Sequence, residues 1–199
     1  IGIADRNTLA GVVRMYSAFE ELKEKGEPVI KQLIGSRLVF VDGTPEILAY
    51  PTDRKAYGRL CRLLSAGKLR APKGECILTL DDLLKWQEGL LLVVMPPHPS
   101  RAAFGAAPPK RFWNKDLALK TEGVGGVSPE IYKTNIECGF GEIQSLLGKL
   151  AQIASRRVWL GVSMPYRGDD QRRLLTWERI ARHAGVPLIA TNDALYHTH

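Results

Sequence analysis

The chain has 199 residues, 45% of them hydrophobic and 25% charged, and 28 lysines and arginines against 21 aspartates and glutamates leave a net charge of +7. These are the proportions of one globular domain with a sizeable core, and they exclude disordered, collagen-like and coiled-coil chains. The basic excess favours a polyanionic partner, and the longest apolar run, Leu90 to Met95, is far short of the ~20 residues that cross a bilayer, so no membrane partner is expected.

The chain opens on Ile1-Gly2-Ile3-Ala4-Asp5, an apolar strand pattern already in progress, which leads to the expectation of a piece of something larger. Asn7 or Thr8 is expected to cap a helix whose apolar positions run Leu9, Val12, Val13, Tyr16, Phe19 and Leu22, and Gly26 ends it. Two β-like runs follow, Arg37 to Val41 and Ile47 to Tyr50. The turn Asp42-Gly43-Thr44-Pro45 between them fits a hairpin or two adjacent strands. Asp53 is a good N-cap for a helix with Tyr57, Leu60, Cys61 and Leu64 on one face and Lys55, Arg59 and Arg62 on another.

Thr79-Leu80-Asp81-Asp82 has the form of a capping box opening a short helix that Gly89 closes, and Leu90 to Met95 reads as a buried strand. From 96 to about 135 the chain is rich in Pro, Ala and Gly and reads as a loop-rich insertion within a single domain. A helix from Gly141, a strand Val158 to Ser163, a helix Asp170 to His183 stopped by Gly185, and the strand Leu188-Ile189-Ala190 complete the alternation. Repeated strand–helix units imply an α/β fold with a largely parallel sheet, either open and doubly wound or closed as a barrel. Ligands then collect at the carboxyl ends of the strands. That directs attention to Asp5-Arg6-Asn7, Pro51-Thr52-Asp53, His98, Met164-Pro165-Tyr166 and Thr191-Asn192-Asp193.

Asp5 and Asp193 each follow an apolar strand, so a parallel sheet would bring both to one rim, where they could share a divalent metal or simply cap a helix and a turn. His98, His183, His197 and His199 form no metal-ligating cluster on an identifiable element, and His183 fits the last turn of a helix by its charge. Ser36, Ser65 and Ser163 lack a nucleophile-elbow context. Gly123-Val124-Gly125-Gly126 follows no strand and matches no phosphate-loop fingerprint. Cys61, Cys76 and Cys138 are scattered and odd in number, which fits a reducing, cytoplasmic setting better than a disulfide framework. Lys55, Arg59, Arg62, Lys68, Arg70 and Lys73 are close enough together to track phosphates, or they form an ordinary solvated face.

Specific strings carry a resemblance. Ile3-Ala4-Asp5-Arg6-Asn7-Thr8-Leu9-Ala10-Gly11, Tyr50-Pro51-Thr52-Asp53-Arg54-Lys55-Ala56-Tyr57-Gly58-Arg59, Lys73-Gly74-Glu75-Cys76 and Ala190-Thr191-Asn192-Asp193-Ala194-Leu195-Tyr196-His197 resemble the PHP (polymerase and histidinol phosphatase) domain of bacterial C-family DNA polymerases. That is the family of the DNA polymerase III alpha subunit, and the resemblance is strongest to its error-prone, damage-tolerant branch. It implies a distorted (β/α)7 barrel whose first strand, with its His-x-His motif, lies just upstream. It also implies a parent that extends primers on template DNA with dNTPs, using Mg²⁺ in a palm domain outside this chain, with a sliding clamp and accessory mutagenesis proteins as further partners.

Carried over residue by residue, the family's metal site is mostly lost. Its Asp-His pair maps to Asp5 and Arg6, its Gly-x-Glu glutamate falls near Arg37, a strand-borne His falls at Glu46 or Ile47, and another glutamate falls at Gly161. Its final motif keeps Asp193 and replaces the His by Leu195. The resemblance therefore implies a site without catalytic residues and without metal, with Asp5 and Asp193 as vestigial ligands. Arg6 or Arg37 is expected to pair with one of those two carboxylates across the rim. An active metal-dependent phosphoesterase or 3′–5′ exonuclease, and a free-standing interaction module, are the competing readings.

Overall fold

The computed structural model describes residues 1–96, 129–164, 168 and 170–192, and for 129–140 the backbone alone. Its elements, in chain order, are β1 (Gly2–Arg6), α1 (Gly11–Glu24), β2 (Leu33–Leu38), β3 (Ile47–Pro51), α2 (Arg54–Leu69), α3 (Leu80–Trp86), β4 (Leu90–Val94), α4 (Pro129–Ile153), β5 (Val158–Val162), α5 (Asp170–Ala184) and β6 (Leu188–Ala190). The fold is α/β, with the six strands forming one sheet in chain order.

β1 and β2 run parallel, as do β4, β5 and β6, but β3 is antiparallel to both of its neighbours. The eight residues 39–46, with the turn signal Asp42-Gly43-Thr44-Pro45 among them, make a hairpin, because a connection that short cannot cross over to a parallel partner. One consequence corrects the sequence reading. The carboxyl ends of β1, β2, β4, β5 and β6 share a rim with the start of β3, so Glu46 joins that rim while Pro51-Thr52-Asp53 lie on the opposite one.

Alternation along the strands sorts side chains onto two faces. Ile3, Asp5, Ser36, Leu38, Ile47 and Ala49 share a face by register, continued by Leu92, Val94, Val158 and Leu160. On it α2, α3, α4 and α5 build the core with fully buried Leu60, Leu63, Leu83, Ile143, Leu147 and Leu150, joined by Trp177 and Ile180. Among the described residues the helices of that core lie on one side of the sheet. The other face carries Arg6, Gly35, Arg37, Tyr50, Val93 and Gly161. Tyr50 lies so close over Gly35 that a Cβ there would sit 2.4 Å from its ring.

Local signals placed most helix ends. Asp53 caps α2, its Oδ1 accepting the Ala56 N–H at 2.8 Å, and Thr79 with Asp82 closes the expected capping box on α3. Gly26, Gly89 and Gly185 have φ of 71, 73 and 69°, the left-handed conformation that ends helices.

Three expectations fail locally. Asn7 caps nothing: with φ 50° it turns the chain at the end of β1, and its amide accepts the Val39 N–H at 2.8 Å and donates to the Val39 carbonyl at 3.0 Å, in the way a strand neighbour would. Thr8 accepts the Ala10 N–H in a local turn. β2 begins at Leu33 and ends at Leu38, earlier than the run Arg37 to Val41, because it pairs first with β1. α4 starts at Pro129, a residue suited to a first helical position, so residues 129–135 of the expected insertion are helical. α1 forms, but none of its residues is buried, and Val13 and Tyr16 remain exposed because α1 packs on the edge strand β1.

Candidate functional site

The rim formed by β1, β2 and the start of β3 holds a three-residue ion-pair cluster. Arg6 Nη1 lies 2.8 Å from Glu46 Oε1, and Arg37 Nε donates to Glu46 Oε2 at 2.6 Å, so one carboxylate is shared by two guanidinium groups. The backbone explains why these three meet. Arg6 and Arg37 are register partners of two parallel strands, and Glu46 immediately precedes β3, the antiparallel neighbour of β2. Glu46 is held in place by its own carbonyl, which accepts the Met95 N–H at 2.8 Å from the end of β4. Arg37 is nearly buried, its side chain 11% exposed, whereas Arg6 is 44% exposed.

Asp5 is turned the other way. Neighbours on a strand point to opposite faces, and Asp5 Oδ2 accepts the Gly11 N–H at 2.7 Å, fixing the first turn of α1. A Cβ on Gly11 would fall 2.3 Å from that oxygen, so the glycine is needed for this contact. Of the two carboxylates expected to meet Arg6 or Arg37, Asp5 serves the Gly11 N–H instead, and both arginines reach Glu46, which the sequence reading did not offer as their partner. Asp193, His98, His197, His199 and the glycine run Gly123–Gly126 lie outside the described residues.

Gly161 lies on the same sheet face as Arg37. A Cβ there would come within 2.7 Å of Met95 Sδ and 3.0 Å of Val93 Cγ1, so the space a longer side chain would use is filled by sulfur and methyl groups. The donor set at the described rim does not fit a divalent cation, since both oxygens of Glu46 face guanidinium groups and Asp5 points to a helix N–H. Among the described residues no three His, Cys, Asp or Glu side chains converge. The role of Glu46 was legible in principle: a hairpin through Gly43 places it two residues from Leu48, the register partner of Arg37, and hence on the face of Arg37.

The basic stretch is divided by the fold. Arg70 makes a two-pronged pair with Asp82, Nη1 to Oδ2 at 2.7 Å and Nη2 to Oδ1 at 2.5 Å, which ties the end of α2 to α3. The guanidinium holds the Asp82 carboxyl down to about 2, with the Thr79 N–H and hydroxyl lowering it further against the cost of burial. Arg59 Nη2 pairs with Glu88 Oε2 at 2.7 Å, and Arg62 lies 5.8 Å above the Trp86 ring. Lys55, Lys68 and Lys73 are exposed and make no ion pair among the described residues. On the covered side, Gly67 lets the chain before α3 approach: a Cβ there would be 2.5 Å from Leu78 Cδ2, and its carbonyl accepts the Ile77 N–H. Cys76 sits in this contact, and burial pushes its thiol above the ordinary thiol value.

A second concavity, of about 560 Å³, opens between α4 and α5 and is lined by Gly141, Gln144, Thr176, Arg179, Ile180 and His183. It holds no convergent buried polar group. Among the described residues no helix is long and apolar enough to cross a membrane.

No protein-family model matches the chain. Similarity to curated proteins is extensive along the whole of it. The chain is 47% identical over 199 residues to the error-prone DNA polymerase of Rhodopseudomonas palustris (strain BisB5), covering 99% of this chain and 14% of that protein. It is 48% identical over 208 residues to the error-prone DNA polymerase of Rhodopseudomonas palustris (strain HaA2), covering 99% and 18%. Error-prone DNA polymerase 1 of Rhizobium meliloti (strain 1021) is 43% identical over 197 residues, covering 99% and 14%. The chain thus spans less than a fifth of the length of these relatives.

Proposed function

We propose that the chain is the PHP-type domain of a bacterial error-prone, damage-tolerant DNA polymerase of the C family, with its metal site replaced by ion pairs and a structural or interaction role in place of hydrolysis. The observation that carries the reading is the Arg6–Glu46–Arg37 cluster. It sits on positions where the resemblance expects metal ligands, in a chain 42–48% identical along its length to proteins named error-prone DNA polymerase. Salt bridges across a rim can hold strand ends together as bridging metals do, but they offer no activated water and no Lewis acid. The parent would extend primers on damaged template DNA in the cytoplasm, with its Mg²⁺-dependent transfer chemistry in a palm domain outside this chain. A sliding clamp and accessory mutagenesis proteins would be its further partners.

The test is elemental analysis of the full-length protein purified without a metal-affinity tag, alongside primer-extension and 3′–5′ nuclease assays. The reading expects primer extension, no stoichiometric zinc or manganese, and no nuclease activity that Asp5→Ala removes. Stoichiometric transition metal with a nuclease sensitive to Asp5→Ala would overturn it in favour of an active phosphoesterase.

A further inference from the structure

The outward face of α2 breaks three local rules at once. Its 16 residues contain five cations, Arg54, Lys55, Arg59, Arg62 and Lys68, and no acidic residue, whereas α1 carries Glu20, Glu21 and Glu24 beside its bases. Arg54 and Lys55 occupy the first turn, where the helix dipole disfavours positive charge and only the Asp53 cap offsets it. Gly58 stands in the helix interior, exposed, with nothing within 4 Å of where a Cβ would be. No packing demand explains a glycine there, and glycine weakens a helix relative to alanine. The buried positions Ala56, Leu60, Leu63, Leu64 and Gly67 fix the orientation, so Gly58 and Ser65, seven residues apart, lie along the middle of the outward face. Arg54 and Lys68 flank that line on one side and Lys55 and Arg62 on the other.

We propose that this face holds the sugar–phosphate backbone of nucleic acid, independent of sequence, with Arg54, Lys55, Arg62 and Lys68 as phosphate contacts and Gly58 as the point of closest approach. Charge complementarity selects the occupant. A run of cations ~20 Å long without acidic companions matches a polyanion of regular charge. A protein interface would call for a central aromatic or aliphatic anchor, and here the large apolar side chain on the outward line is Leu69, at its far end. Arg59 and Arg70 are excluded, because Glu88 and Asp82 already hold them against the body of the domain. The inference rests on the polymerase reading only in expecting DNA to pass near this domain.

The experiment measures the affinity of the full-length protein for a fluorescein-labelled primer–template duplex across a KCl series. The wild type is compared with the combined variant Arg54→Gln, Lys55→Gln, Arg62→Gln and Lys68→Gln, and with Lys73→Gln as a control off the helix face. The expected result is a roughly tenfold or greater loss of affinity at 100 mM salt and a fall of about 3.6 in the slope of log K against log salt, near 0.9 for each of the four lost phosphate contacts, with no change for Lys73→Gln. A folded combined variant with unchanged affinity and slope overturns the inference, as does an unchanged slope accompanied by loss of a bound protein subunit. Primer extension separates the two readings: a wild type that extends primers while the variant binds DNA normally keeps the polymerase and removes the phosphate face. A wild type that does not extend primers while the variant loses DNA affinity does the reverse.

Discussion

The rim of the sheet and the contact of α2 with α3 both use arginine against carboxylate, and they use it differently. At the rim of the sheet one acid, Glu46, serves two arginines in a recess where Arg37 is almost buried. Between α2 and α3 each acid serves one arginine, and Arg70 and Glu88 stand in water. Attraction between opposite charges is screened where water reaches them, and the cost of leaving a charge unpaired rises where water does not. The rim pairs are therefore worth more than the helix pairs, whose value comes from geometry alone.

Replacing Glu46 by glutamine should produce the largest effect, because it removes the carboxylate that Arg37 and Arg6 share. A destabilisation of about 2–3 kcal/mol is expected from the shift in urea midpoint at constant slope. Arg6→Gln, at the exposed end of the same cluster, should cost below ~1 kcal/mol. Equal costs for the two would show that burial does not set the value of this cluster.

The helix pair is tested by acid. Asp82 titrates at about 2 in the folded protein, below the ~3.9 of an unfolded aspartate, so its contribution is complete above about pH 4 and is lost as pH falls toward 2. Water around the half-exposed Arg70 limits that contribution to ~1 kcal/mol. Asp82→Asn should flatten the stability curve in that window and leave it unchanged at neutral pH apart from a constant offset. An unchanged slope between pH 4 and 2 would remove the pair from the account of how α3 is held.

The smallest effect has the opposite sign. Gly58→Ala should stabilise the protein by about 0.5–1 kcal/mol, since the added methyl meets nothing and the unfolded chain loses freedom. A loss of stability would mean that the outward face of α2 is packed against something.

Much of the fold was legible because the signals are short in range. Asp53 reaches an N–H three residues on, Thr79 and Asp82 close a box within one turn, and Gly89 and Gly185 stop helices where only a left-handed residue fits. Asn7 was misread for the same reason. A cap and a strand-like clamp use the same amide atoms, and only the arrival of Val39, 32 residues away in sequence, decides between them.

By itself the sequence determined the order of strands and helices, the helix stops and the absence of a long membrane-spanning run. Each of these depends on a residue and its near neighbours. Tertiary structure alone decided that Arg6 and Arg37 share Glu46 and leave Asp5 to α1, and that Arg59 and Arg70 are spent within the domain while Lys55 and Lys68 face outward. Charge attracts without regard to sequence distance, so its partners are chosen by the direction in which each strand and helix presents its side chains, and here a reversed β3 made the choice.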